Sequence, residues 1–153
     1  MSAMTGRKGP LPPLSWCGLP HGSTVVVDTV PWIYLLEDHP AFAPRFVGLF
    51  EAAEAGALHL ALTPITLADV LSGPHKAGQT ALAARYEQAL AQFQWVSLSP
   101  AIAKLAAQLQ ARYGLKLPDA FQLASALDIG AAALVTHDRD FSKVEGLPIL
   151  YGV

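Results

Sequence analysis

Residues 134–141 read LVTHDRDF, an apolar run that ends in Asp138 and Asp140, with His137 and Arg139 beside them. Asp28 directly follows the β-branched run TVVV at 24–27, and Asp119 follows Pro118 in LPDAFQLASAL. Asp69 lies between Ala68 and Val70 in the apolar segment ITLADVLSG. Carboxylates brought together repel one another, so a site built from several needs protons or cations. Oxygen-only ligands suit the hard divalent ions Mg²⁺ and Mn²⁺ rather than zinc. Such an ion binds phosphate, lowers the pKa of a bound water and steadies a leaving oxygen. These residue types therefore point to metal-dependent phosphodiester hydrolysis. Each acid also has a structural reading: Asp28, Asp119 and Asp138 as helix-start residues, Asp69 as an exposed helix position, Asp140 as a solvated neighbour.

The elements that must carry these acids follow from pattern. TVVV (24–27), LHLAL (58–62), WVSL (95–98), AALVT (132–136) and PILY (148–151) have the short apolar character of buried strands. Helices are expected over 30–37 and 41–55, the latter ending at Gly56. Thr63-Pro64 and Ser99-Pro100 each pair a capping side chain with a proline at the first helical position, opening two more helices. The first should stop at Gly73-Pro74, with a long helix over 76–93 after it. The second should run through Arg112, and a last helix should run from Pro118 to near Gly130. Strands alternating with helices imply right-handed crossovers and a mostly parallel sheet covered on both faces, a three-layer α/β/α sandwich. Ligands of such folds bind outside the carboxyl ends of the strands, where Asp28 and Asp138 fall.

The totals set bounds on function. A chain of 153 residues, 52% apolar and 14% charged, suits one globular domain with a real core. Residues 1–23, rich in Pro and Gly and without periodicity, read as an irregular extension, leaving 24–153 as the domain. No apolar run approaches the roughly 18 residues of a membrane span. The single Cys17 cannot form an internal disulfide, in keeping with a reducing cytoplasm. A formal charge of −2 argues against nucleic-acid binding through bulk charge. With the five site acids set aside, ten basic residues face seven acidic ones, a bias that favours a polyanion once metal fills the site.

VVVDTVPWIYLLEDHP, TPITLADVLSGP, LPDAFQLASAL and LVTHDRDF, in this order, resemble the four signature segments of PIN-domain proteins, and more narrowly the VapC-type toxins of bacterial toxin–antitoxin pairs. The resemblance implies a PIN-like sandwich with a central parallel sheet and a Mg²⁺- or Mn²⁺-dependent ribonuclease. It also implies a homodimer restrained by a cognate antitoxin. Carried over by position, the metal-binding acids are Asp28, Asp69, Asp119 and Asp138, with Asp140 as an outer contributor. Thr136 matches the hydroxyl residue before the last acidic pair, and Arg139, Lys116 and Lys143 are the cations nearest for substrate phosphates.

Three positions depart from the family pattern. Asp69 stands where the family has Glu, so its carboxylate must reach a metal through water or from a helix shifted inward. His137 stands where Asn is frequent, and Val30 where a small polar residue is common. No departure removes a carboxylate. His21, His39, His59, His75 and His137 show no zinc-ligand spacing. His137 reads either as a general acid–base or as a solvated or capping residue. Trp32, Tyr34 and Phe42 read as core or dimer-contact residues. Two other functions remain open on the residues alone: a phosphotransferase with Asp28 as nucleophile, and a PIN-like RNA- or protein-binding module with an impaired site. Val30 speaks against the first, since such enzymes carry a second Asp there.

Overall fold

The computed structural model describes residues 19–151. Residues 1–18, most of the stretch read as an extension, lie outside the described residues. Leu19 already packs against the core, and the Gly22 amide donates to the Ala57 carbonyl at 2.8 Å. The first strand, β1 (Ser23–Val27), starts one residue before the expected boundary.

β1 is followed by helices α1 (Thr29–Leu36) and α2 (Ala43–Glu54), strand β2 (Leu58–Leu62), helices α3 (Pro64–Lys76) and α4 (Thr80–Leu90), and strand β3 (Gln94–Trp95). Helices α5 (Pro100–Tyr113) and α6 (Leu117–Asp128), strand β4 (Ala133–Thr136), a 3-10 turn (Arg139–Lys143) and strand β5 (Ile149–Tyr151) complete the order. All strand pairs are parallel, in the order β3-β2-β1-β4-β5. From β1 the chain winds outward to β2 and β3, then crosses back to place β4 on the other side of β1. The switch point therefore lies between β1 and β4, where a crevice opens at the carboxyl ends. Those are the strands that Asp28 and Asp138 follow.

Successive side chains of a strand point to opposite faces, and the apolar residues obey that period. Val25, Val27, Leu60, Leu62 and Val135 face one core, with Trp32, Phe46, Leu49, Val70 and Leu90 from α1–α4. Val26, Ala61 and Leu134 face the other, with Ile102, Ala106 and Leu109 of α5, Leu123 of α6 and Phe141 of the 3-10 turn. Both faces are covered, which gives the three expected layers. Among the described residues no helix is long and apolar enough to cross a membrane.

The boundaries differ most from expectation in two regions, the α3–α4 junction and the third strand. Gly73-Pro74 does not stop α3, which runs on to Lys76 with Pro74 buried inside it. A proline this near a helix end forfeits a single hydrogen bond, and burial of its ring offsets that loss. The chain breaks instead at Gly78, whose φ of +71° a side chain would resist, so α4 spans Thr80–Leu90 rather than 76–93. The third strand is Gln94–Trp95 instead of 95–98. Val96 still donates to the Leu62 carbonyl at 2.9 Å, but the chain then leaves the sheet so that the Ser99 hydroxyl can cap α5.

Trp32 fixes the end of β1 against α1. Its indole Nε1 donates to the Val27 carbonyl at 3.0 Å, and its ring meets Phe50 and Phe93 edge-on at 5.2 and 4.9 Å. Trp32→Phe removes that hydrogen bond and part of the buried volume, a loss of about 2 kcal/mol. Urea unfolding should show it; wild-type stability would mean that Trp32 does not anchor the strand end.

Candidate metal centre

Asp28 leaves β1 at the switch point and caps α1. Its Oδ1 accepts from the Thr29 amide at 2.8 Å and from Gln122 Nε2 at 3.0 Å, while Oδ2 accepts from the Thr136 hydroxyl at 2.8 Å. Its amide donates to the Val135 carbonyl at 2.8 Å, extending the β1–β4 ladder by one residue. Burial pushes the carboxyl above its ordinary value; the donors Thr29, Gln122 and Thr136 oppose this, and the Asp138 charge adds to it.

Asp119 sits in the first turn of α6, half-buried, and its Oδ2 is buried without a hydrogen-bond partner. Burial, followed by the charges of Asp28, Asp138 and Asp140, pushes its carboxyl up to about 6, with Lys116 opposing. Asp138 caps the 3-10 turn: its Oδ1 accepts from the Asp140 amide at 2.8 Å, and its own amide donates to the Thr136 hydroxyl at 3.0 Å. Each of Asp119, Asp138 and Asp140 offers a carboxylate oxygen within 4.8 Å of the other two. The exposed Asp69 turns its Oδ2 to the Thr29 hydroxyl at 3.2 Å. It lines a cleft of about 160 Å³ together with Asp28, Val30, Ile65, Asp119 and Asp138.

Four of the five acids expected from the sequence, Asp28, Asp69, Asp119 and Asp138, line one cleft, and Asp140 lies beside Asp119 and Asp138. Asp140, expected at the periphery, belongs to the tight cluster. Asp28, expected as one of four metal-binding acids, accepts from three donors and keeps one lone pair free among the described residues, on Oδ2. Thr136 is fully buried with its hydroxyl committed to Asp28 and Asp138, so it has no surface with which to meet a substrate. The guanidinium of exposed Arg139 lies 4.2 Å over the Tyr151 ring, and exposed Lys116 occupies the N-cap position of α6. Exposed Lys143 ends the 3-10 turn.

His137 is half-buried, with its ring packed among aromatic side chains. Its Nδ1 lies 2.8 Å from the Tyr34 hydroxyl and its ring meets Phe42 edge-on at 4.7 Å. Burial, then the Arg139 and Arg45 charges, holds it below the ordinary histidine range. Tyr34 and Phe42 stack at 5.0 Å within the same aromatic group. Sequence reasoning missed Gln122, although it lies one helical turn after Asp119 and is the single amide on a buried stretch of α6. It also missed the hydroxyls of Thr29, Thr63 and Thr66. A larger cavity, of about 450 Å³ between Phe50, Leu58, Phe93 and Gln94, lies at the start of β2, away from the acids.

The donor set fits a hard divalent cation. Two oxygens on opposite sides of Mg²⁺ stand about 4.2 Å apart, close to the spread of the aspartate cluster. The unpartnered Asp119 Oδ2, and the burial and neighbouring charges that raise its pKa, are both answered by a cation.

A parallel α/β sandwich with carboxylates gathered at its switch point is the class these features define. The family model described as PIN domain matches residues 25–147, and the chain belongs to the PIN domain family. Among solved structures it is similar to a toxin–antitoxin complex from Klebsiella pneumoniae, 28% identical, over 84% of this chain and 98% of that one, with a TM-score of 0.67. VapBC2 from Rickettsia felis, bound to a promoter DNA fragment, is 17% identical over 84% and 98%, with a TM-score of 0.68. VapC20 from Mycobacterium tuberculosis, a sarcin-ricin-loop-cleaving toxin, is 17% identical over 81% and 99%, with a TM-score of 0.61. At that identity the last two show a shared fold. No curated protein matches the chain.

A carboxyl raised from 3.8 to about 6 binds its proton more tightly in the folded protein than in the unfolded one. Its contribution to stability is therefore full below pH 3.8 and lost as pH rises through about 6. Asp119→Asn removes this loss, so at pH 7.5 without metal the variant should be the more stable, by about 1 kcal/mol once solvent screening of a half-exposed group is allowed for. The difference should shrink at pH 4.5. A variant no more stable at pH 7.5 would mean that burial and the acidic neighbours do not raise the Asp119 carboxyl in the folded protein.

Proposed function

We propose that this protein is a Mg²⁺- or Mn²⁺-dependent endoribonuclease, the toxin of a toxin–antitoxin pair. The observation that carries this reading is the aspartate cluster at the switch point, with a buried carboxylate oxygen that has no hydrogen-bond partner among the described residues. The 28% identity to a component of a toxin–antitoxin complex supports the toxin role, and a fold shared with a sarcin-ricin-loop-cleaving toxin supports RNA as substrate.

Asp119, Asp138 and Asp140 would hold the ion, with Asp28 through its remaining lone pair and Asp69 from the cleft wall. A cation bound there supplies a Lewis acid for phosphate and lowers the pKa of a bound water. The protein's own part is to fix the carboxylates before the ion arrives. Thr136 sets Asp28 and Asp138 relative to each other through one hydroxyl. Arg139, braced on Tyr151, and Lys116, at the head of α6, supply positive charge for the RNA backbone. Residues 24–153 form the catalytic domain on this reading, working in the cytoplasm as a homodimer under the control of a cognate antitoxin.

Incubating the full chain with structured RNAs tests this reading. Cleavage should require Mg²⁺ or Mn²⁺, stop in excess EDTA, and be abolished by Asp119→Asn or Asp138→Asn in protein that remains folded. Cleavage that persists in EDTA would refute the metal mechanism.

A further inference from the structure

Gln122 is 1% exposed and has three side-chain hydrogen bonds, one to Asp28 at the end of β1 and two to the start of α3. Its Oε1 accepts from the Thr63 hydroxyl at 2.7 Å. Its Nε2 donates to Asp28 Oδ1 at 3.0 Å and to Thr66 Oγ1 at 2.8 Å. The Thr66 and Thr29 hydroxyl oxygens lie 3.3 Å apart, and Thr29 reaches Asp69 Oδ2 at 3.2 Å. One unbroken chain of contacts thus joins the acid that ends β1 to the acid on α3.

The chemistry of the ends fixes every proton in that chain. A carboxylate at neutral pH only accepts, so the Thr29 hydroxyl gives its single proton to Asp69. Thr29 must then accept from Thr66, and Thr66 must accept from Gln122. Flipping the Gln122 amide would set Oε1 against the Asp28 carboxylate and leave the Thr63 proton facing an NH₂ group. With Thr63 also accepting from the Thr66 amide at 3.4 Å, no hydroxyl in the chain is free to turn. A buried polar network with a single proton arrangement is rigid, and removing one member leaves the others unsatisfied.

We propose that Gln122 is the positioning residue of the metal centre, setting Asp28 directly and Asp69 through Thr66 and Thr29. The proposal rests on the metal reading above. Gln122 touches neither ion nor RNA, yet the affinity of the site for metal depends on it. The chain also explains how the short Asp69 side chain serves at a position where a longer one is usual: the Thr29 hydroxyl aims its carboxylate into the cleft.

Mn²⁺ titration of the full chain by calorimetry tests this, with urea unfolding of each variant to establish that it is folded. Gln122→Leu and Thr66→Val should each weaken Mn²⁺ binding by about 10- to 100-fold. Thr66→Ser, which keeps the hydroxyl, should restore most of the affinity. Adding Asp69→Ala to Thr66→Val should cost less than the two separate losses combined, because both act through one chain. If Gln122→Leu does not fold, the Thr66→Val and Thr66→Ser pair decides. Wild-type affinity in folded Gln122→Leu or Thr66→Val overturns the proposal, as does Thr66→Ser binding as weakly as Thr66→Val. A wild-type protein that binds no Mn²⁺ fails differently: it removes the metal reading itself.

Discussion

Three aspartates with carboxylate oxygens inside 4.8 Å of one another repel when all are charged, and a cation or a proton relieves that repulsion. The surroundings of the site follow from that constraint. Where the acids approach most closely, Asp119 keeps an oxygen unpaired and holds its proton to about pH 6. Where an acid is buried deepest, at Asp28, three donors converge to keep its oxygens satisfied. Thr29, Thr63, Thr66, Gln122 and Thr136, five of the buried polar residues, form the hydrogen-bonded surroundings of Asp28.

The fold supplies the geometry. Parallel strands covered on both faces direct their ends to one edge, and the crossing back from β3 to β4 opens that edge between β1 and β4. Val25, Val27 and Val135 on one face and Val26 and Leu134 on the other lock the register that sets Asp28 against Val135. A one-residue slip would move each of those valines to the wrong face. The site is therefore as well positioned as the core is packed. Trp32 ties the two together, filling one core while bonding the last residue of β1.

Much of this was legible in the sequence because its signals are local. The β-branched run before Asp28 and the Thr63-Pro64 and Ser99-Pro100 starts act within a few residues, and the structure follows them. The acids were legible too, since each adjoins an apolar run or a helix start. Gly73-Pro74 misled because the effect of a proline depends on how near the helix end it lies and whether its ring is buried, and neither is local. Gln122 was unreadable for a similar reason. An amide in LPDAFQLASAL looks like an ordinary exposed position until the fold puts Asp28, Thr63 and Thr66 around it. His137 looked available for chemistry, and only the packing of α1 and α2 shows its ring held by Tyr34 and Phe42. The departure at Asp69 was visible, but the Thr29 hydroxyl that directs it was not.

The central proposal is that burial and the neighbouring carboxylates hold the Asp119 carboxyl up until a divalent cation relieves it. The titration of the Asp119 carboxyl carbon, followed by NMR with and without saturating Mg²⁺, tests this most directly. Without metal the midpoint should lie near 6, and Mg²⁺ should drive it well below that value. A midpoint near the ordinary 3.8, unmoved by Mg²⁺, would contradict the account.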